Sequence, residues 1–336
     1  MQTAGNTAFV QPAHPGGLLL GESTAMHNVF RLIERVAPTD VGVLLTGESG
    51  SGKELAAQAI HQYSPRRASP FIAINCGAIP AGLIEAELFG YEKGSFTGAV
   101  RAHAGVFERA RGGTLLLDEV TEMPLDMQTR LLRVLETRKL YRVGASVELS
   151  TDVRVIAATN RCPMQAAQTG HLREDLLYRL AVFPIDLPPL RERDEDVVLL
   201  AEHFLVQLNA QAHARKRFSA FAHMQLKQHA WPGNVRELKN CIERAFILTD
   251  DVLELAPMLH NGAAASQIGS RTAGAREHLE IRVGSRIHDM ERSLIEATLD
   301  YFQGNKRRAA DALGCSLKTL YNKLNGYSQN HECANN

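Results

Sequence analysis

Val41-Gly42-Val43-Leu44-Leu45-Thr46-Gly47-Glu48-Ser49-Gly50-Ser51-Gly52-Lys53-Glu54 is an apolar run that breaks into a glycine-rich loop ending on a lysine. Val41 to Thr46 reads as a buried strand and Glu54 to His61 as a helix, so the loop joins a strand end to a helix start. Glycine permits the tight turns that let backbone N–H groups curl round phosphate oxygens. The helix N-terminus adds its dipole, and Lys53 brings a point charge to the outer phosphates. Gly47, Glu48, Ser49, Gly50, Ser51, Gly52, Lys53 and Glu54 are therefore candidate nucleotide-binding residues. The plainer reading is a glycine turn beside a surface lysine, and the strand–loop–helix setting argues against it. Glu54 occupies the place of a Ser or Thr hydroxyl ligand for Mg2+, so water or Asp118 must do more of the metal binding.

Outward from this loop, Phe71 to Asn75, Thr114 to Asp118, Val153 to Ala158 and Val182 to Leu187 are further short apolar runs, separated by helical stretches. Such runs mean strands covered on both faces, hence a mainly parallel α/β sheet. Gly112-Gly113-Thr114-Leu115-Leu116-Leu117-Asp118-Glu119 ends a buried strand in two acids, which a solvated strand end or a cation would explain. Beside a phosphate loop, Asp118 can hold Mg2+ through water while Glu119 polarises the water that attacks the γ-phosphate. After Pro188-Pro189 the strand signals stop, and Val197 to Leu208 and Val235 to Leu248 read as helices of a small subdomain. Asn234, following the Pro232-Gly233 turn, is a candidate N-cap, and Trp231 reads as core.

The chain has 336 residues, enough for two or three folding units, with Lys plus Arg and Asp plus Glu at 37 each and 45% hydrophobic residues. This is a globular composition whose overall charge indicates no partner. Five cysteines, Cys76, Cys162, Cys241, Cys315 and Cys333, lack the spacing of a zinc site or a disulfide frame. With no membrane-length apolar stretch or signal-like start, a reducing cytoplasm is the expected location and no membrane is an expected partner. The expected divisions are a flexible lead over 1–17, an α/β subdomain over 18–187 and a helical subdomain over 188–260. A Gly/Ala/Ser-rich linker over 261–281, a helical module over 282–328 and a tail over 329–336 complete them.

Gly90-Tyr91-Glu92-Lys93-Gly94-Ser95-Phe96-Thr97-Gly98-Ala99 lies between the two halves of the nucleotide site. Gly94 and Gly98 allow turns at its base and leave Phe96 and Thr97 at its tip. Phe96 either folds inward as core or meets a partner. Near the other end, Phe302 to Tyr327 holds Lys306, Arg307, Arg308, Lys318 and Lys323 against Asp311, a local charge of +4. Its order is helix, Gly314-containing turn, helix, with Ala309, Ala310 and Leu313 packing on Leu317, Leu320 and Leu324. Ser316, Lys318, Thr319, Asn322 and Lys323 would face the major groove or its phosphates, and a solvated basic hairpin is the plainer reading.

Taken in order, these motifs resemble the AAA+ ATPase core and Fis-like helix-turn-helix of sigma-54-dependent transcription activators, the bacterial enhancer-binding proteins. The resemblance spans about Leu20 to Leu259 and resumes near Ile287 to Tyr327. It implies an AAA+ P-loop parallel sheet with a helical lid subdomain and a C-terminal all-α DNA-binding domain, using ATP and Mg2+. Asn75 is similar to the asparagine that holds the catalytic glutamate away from water, and Asn160 to the first sensor of the γ-phosphate. Arg173 and Arg179 match arginine fingers that enter a neighbouring subunit's site, and Arg236 in Gly233-Asn234-Val235-Arg236-Glu237-Leu238 matches the second sensor. The resemblance makes Gly94, Ser95, Phe96, Thr97, Gly98 and Ala99 the grip on sigma-54, with Ser95 in place of the usual alanine. A second loop near Arg138 to Thr151 would support it.

The implied partners are sigma-54 RNA polymerase holoenzyme, double-stranded DNA upstream of a promoter, and further copies of the chain, from dimer to hexamer. The helix Ile287 to Tyr301 would pair two copies on a two-fold-related site. With no sensor module before Leu18, control is expected from a separate protein in trans or from abundance, as in the stand-alone activators of phage-shock response and type III secretion. Two other functions fit part of the sequence: a DNA-binding repressor or scaffold whose ATPase only controls oligomerisation, and a general AAA+ remodeller, which the DNA module disfavours.

Overall fold

The computed structural model describes residues 19–96, 98–255 and, towards the end of the chain, 291, 294–295, 298–299, 305–315, 317–320 and 323. The expected lead, linker and tail, with Thr97, Ser316 and Asn322, lie outside the described residues. The chain divides into two compact units, 1–265 and 266–336.

The first unit opens with α1 (Thr24–Val36), β1 (Val43–Thr46), α2 (Lys53–Gln62), β2 (Phe71–Asn75), α3 (Ala81–Phe89), α4 (Val106–Arg109) and β3 (Thr114–Asp118). It continues with α5 (Leu125–Thr137), the hairpin β4 (Lys139–Tyr141) and β5 (Glu148–Ser150), β6 (Arg154–Thr159), α6 (Pro163–Gln168), α7 (Glu174–Leu180) and β7 (Phe183–Asp186). The lid holds α8 (Asp196–Ala212), β8 (Arg217–Phe218), α9 (Ala220–Gln228), α10 (Asn234–Leu248) and β9 (Val252–Leu253).

Five strands pair in parallel in the order β2-β3-β6-β1-β7. Alternation along them feeds two cores. Leu44, Leu115, Leu117, Val155 and Ala157 face α3, α5 and α7, whereas Val43, Leu45, Leu116, Ile156 and Ala158 face α1 and α2. That double coverage is why the strands read as unbroken apolar runs. The register pairs Asn75 with Asp118 and Thr46 with Thr159, so the loops leaving β1, β3 and β6 emerge at one edge of the sheet. Ligands of open α/β sheets bind at that carboxyl edge.

Two buried charges tie the frame together. Arg154 is 1% exposed, and its guanidinium donates to the carbonyls of Val36 and Ala37 at 2.8 Å each, satisfying the end of α1. Asp196, also 1% exposed, accepts from the backbone N–H groups of Glu22 (2.6 Å) and Ser23 (3.0 Å) and from the Ser23 hydroxyl. The start of α1 and the start of α8 thus share one carboxylate.

Several expectations are corrected. Strand signals do not stop at Pro189: β8 and β9 pair in parallel within the lid, each only two residues long and too short to show alternation. The Arg138 to Thr151 segment is an antiparallel hairpin. Asn234 does not cap α10; Gly233 holds that position, and the Asn234 side chain is engaged elsewhere. Trp231 is 1% exposed and donates from Nε1 to the Leu226 carbonyl at 2.8 Å, a core residue as read.

In the second unit α11 (Lys306–Ala312) is followed by Gly314 at φ +63 and a helical stretch at 317–320. Ala309, Ala310, Leu320 and Ile295 form its small core, with Leu299, Leu313 and Cys315 packed on it. Leu317, expected in that core, is 40% exposed.

Candidate nucleotide site and interaction surfaces

At the carboxyl edge of the sheet a cavity of about 600 Å3 opens between the loop after β1, the end of β3 and the lid helices α8 and α10. Gly47, Gly50 and Gly52 take φ values of +142, +77 and +105, in the region that favours glycine. At Gly50 a Cβ would also meet the Gly233 carbonyl at 2.5 Å. The Ser51 hydroxyl is buried with no hydrogen-bond partner among the described residues. A glycine cradle with a lysine at its mouth and an unsatisfied hydroxyl beneath fits a phosphate chain.

Lys53 is 7% exposed and donates from Nζ to the carbonyls of Gly47 (2.8 Å) and Glu48 (3.3 Å). Burial holds its ammonium below the usual lysine range, while the charges of Glu119 and Asp118 oppose the shift. Asp118 accepts from Asn75 Nδ2 at 3.2 Å, and the other end of that amide takes the N–H groups of Gly77 and Ala78. The pairing of β2 with β3 sets Asn75 beside Asp118, one residue before the glutamate on which the resemblance gives it a role. Glu119 has left the strand at φ +52 and accepts the Asn160 backbone N–H at 3.2 Å. A non-glycine residue held in the left-handed region is a strained arrangement of the kind found at functional sites.

Sequence reasoning passed over Arg191 and Arg193, which grip the loop's outer side alongside the expected Arg236. Arg191 gives a bidentate pair to Glu48 at 2.9 and 2.7 Å. Arg193, 1% exposed, donates to the Ser51 carbonyl at 2.5 Å and to the Pro188 carbonyl at 2.9 Å, and burial pulls its guanidinium down to about 10. From α10, Arg236 Nη1 reaches Ser49 Oγ at 2.9 Å and the Val235 N–H reaches the Gly50 carbonyl at 3.1 Å. The signal was the run Arg191-Glu192-Arg193-Asp194-Glu195-Asp196, which reads as a solvated surface but buries two of its charges.

Arg173 and Arg179 stand apart from this cavity. Arg173 precedes α7 and pairs with Asp175 at 3.0 and 2.7 Å, and Arg179 donates to the Leu135 carbonyl at 2.8 Å.

The glycine-hinged loop is closed by Gly94 N–H to Ala99 O (2.9 Å) and Ala99 N–H to Phe96 O (3.1 Å). Phe96 remains 42% exposed, its ring edge-on to Tyr91 at 4.9 Å. The β4–β5 hairpin supports it: Glu92 N–H donates to the Val143 carbonyl, Val143 N–H to the Gly90 carbonyl, and Arg142 bridges Glu108 and Glu92. Ser95 lies under the loop against Gly144, its hydroxyl buried with no hydrogen-bond partner among the described residues. A Cβ on Gly144 would stand 2.7 Å from Ser95 Cβ, and its φ is +78. Gly144→Ala is therefore expected to cost about 1–2 kcal/mol of local stability and to lift the loop off the hairpin. The check is tryptic cleavage at Lys93 and Arg101, expected to speed up by about tenfold.

In the second unit Lys306, Arg307, Arg308, Lys318 and Thr319 are exposed, Asn305 Oδ1 accepts the Arg308 N–H at 3.2 Å, and Lys323 pairs with Glu291.

The chain matches three sequence families in order: "Sigma-54 interaction domain" over residues 19–186, "AAA+ ATPase lid domain" over 191–273 and "Bacterial regulatory protein, Fis family" over 286–327. It is 46% identical to the transcriptional regulatory protein FlbD of Caulobacter vibrioides, the match covering 90% of this chain and 69% of that one. Against the DNA-binding transcriptional regulator NtrC of Azospirillum brasilense it is 44% identical, over 91% of this chain and 68% of the other. A crystal structure of NtrX from Brucella abortus in complex with ATP superposes with a TM-score of 0.68 at 35% identity, covering 93% of this chain and 68% of that one. With the glycine cradle, the acidic strand end and the buttressed loop lying inside the first matched span, the chain belongs to the sigma-54-dependent transcriptional activators, AAA+ ATPases that carry a Fis-type DNA-binding domain.

Proposed function

We propose that the chain assembles in the cytoplasm as a ring, a hexamer built from dimers, on DNA upstream of sigma-54 promoters, and spends ATP to push its Phe96 loop against sigma-54 polymerase. The observation that carries this reading is the loop itself: an aromatic residue 42% exposed on a glycine-hinged tip, braced from below by a hairpin. Exposed aromatics on a braced loop serve contact with a partner.

In this scheme the backbone of Gly47 to Gly52 and the Lys53 ammonium hold the phosphates of ATP, and Arg236 closes on them from the lid. Asp118 would hold Mg2+ through water, and the ion when bound would offset the negative charge of the phosphates. Among the described residues no group of three His, Cys, Asp or Glu is placed to bind a metal, so phosphates and water must supply the other ligands. Glu119 takes the proton of the water that attacks the γ-phosphorus as the bond to the β-phosphate oxygen breaks, and Asn160 holds the carboxylate meanwhile. Arg173 and Arg179 act on the ATP of the adjoining subunit. Lys306, Arg307, Arg308, Ser316, Lys318, Thr319, Asn322 and Lys323 contact DNA, those on the second helix reading the major groove.

Phe96→Ala and Thr97→Ala should keep ATPase activity and DNA binding within about twofold while sigma-54 binding and open-complex formation fall below detection. Normal promoter activation by both variants would remove the loop from the mechanism.

A further inference from the structure

Asn234 is wholly buried, at 0% exposure, and sits where three parts of the first unit meet: the phosphate loop, the hinge after β7 and the start of α10. Its carbonyl oxygen accepts the Leu190 N–H at 2.7 Å. Its amide nitrogen donates to Glu48 Oε2 at 3.0 Å and to the Ser49 carbonyl at 3.1 Å. Glu48 is in turn held by both arms of Arg191, and these partners keep its carboxyl below the usual glutamate range.

The position selects asparagine twice over. It needs one acceptor and two donors on a short arm, which a carboxamide has. Aspartate has no donor and would set a second carboxylate against Glu48; serine has a single donor; glutamine is a methylene too long. The backbone stands at φ +53, a left-handed conformation that asparagine tolerates better than most residues.

We propose that Asn234 is a positioning residue for ATP hydrolysis: it fixes the phosphate loop to the lid so that Lys53 and Arg236 address the same phosphates together. Arg236 lies two residues further along α10, so the joint at Asn234 sets how far the arginine stands from the loop. A loosened joint leaves each group able to touch a nucleotide and unable to hold it in the reacting geometry. Misplacement by about 1 Å costs on the order of 10²-fold in rate, and the loss falls on turnover rather than on binding.

The inference rests on the ATPase reading of the cavity, and its test has one readout that needs hydrolysis and one that does not. Asn234→Gly keeps the backbone conformation and deletes the amide. It should lower kcat by about 10- to 100-fold while nucleotide Kd shifts by less than about threefold. Asn234→Asp should behave alike, and adding Glu48→Gln should recover most of the lost kcat, because the introduced amide can donate to the introduced carboxylate. In nucleotide-free protein Asn234→Gly, which removes the acceptor of the Leu190 N–H, should speed hydrogen exchange at that amide by about tenfold, whereas Asn234→Asp keeps an oxygen there and should leave it protected. An unchanged kcat in Asn234→Gly overturns the proposal. So does a parallel loss of Kd and kcat that the double variant fails to recover, because that pattern marks a fold defect. If the unsubstituted chain hydrolyses no ATP, the ATPase reading falls, and unchanged exchange at Leu190 in Asn234→Gly would independently overturn the joint.

Discussion

Glu119→Gln should bind ATP as the unsubstituted chain does and hydrolyse it about 10² to 10⁴ times more slowly, the range carried by a positioned general base. The exchange removes a proton acceptor and keeps the side chain's size. The Asn160 N–H still finds an oxygen at 3.2 Å, so the end of β6 stays in place. Lys53 keeps its cradle contacts through the carbonyls of Gly47 and Glu48. Phosphate release and binding of a fluorescent ATP analogue, measured on the same preparation, separate the two effects. Equal loss of both would mean that Glu119 shapes the pocket and does not act on water. The variant also decides between an activator and a scaffold that needs ATP only to assemble: retained regulation would favour the scaffold.

Arg173→Ala should lower ATP hydrolysis by about 10³-fold or more, the scale of an arginine acting across a subunit boundary on a dissociating phosphate. Among the described residues the Arg173 side chain pairs with Asp175 in an exposed contact and does not line the cavity, while its backbone N–H donates to Gln128 and needs no arginine. Exposed pairs of this kind contribute little to folding, so the melting temperature should hardly move. The decisive measurement is mixing. Arg173→Ala subunits keep an intact Glu119, and Glu119→Gln subunits keep an intact Arg173, so a mixture contains boundaries at which both groups are present. Hydrolysis should reappear on mixing two preparations that are each inactive. No recovery in demonstrated mixed rings would place Arg173 outside the site.

The fold was legible because the sheet is buried on both faces: Thr114 to Asp118 is an unbroken apolar run and ends at the residue expected. Strand ends drifted by one or two residues where flanking apolar residues were read into the strand, as at Val41, Val153, Val182 and Leu187, and at β6 the polar Thr159 belongs to it. The phosphate loop and the acidic pair were legible for a different reason, since their chemistry is local to one turn of chain. The contacts around Asn234 were not. Glu48, Leu190 and Asn234 are far apart in sequence, and what joins them is a single amide whose pattern of donors and acceptors has no periodicity to detect. For the same reason the sequence pointed to Asn234 as a helix cap: asparagine before a helix normally serves its own backbone, and here long-range partners take that side chain instead.

The carboxylate of Asp196 draws together Glu22, Ser23 and the first turn of α8, stretches about half the chain apart. Whatever joins the α/β part to the lid therefore runs in two directions, through Pro188 and back through the residues before β1. A chimera that takes its first forty residues from one relative and its lid from another has to match Ser23 with Asp196 or leave the buried carboxylate with two backbone donors and no hydroxyl. Shuffling at the Pro188-Pro189 junction, where sequence alone draws a boundary, cuts through a shared cap; the exchangeable module begins ahead of α1 and ends beyond β9.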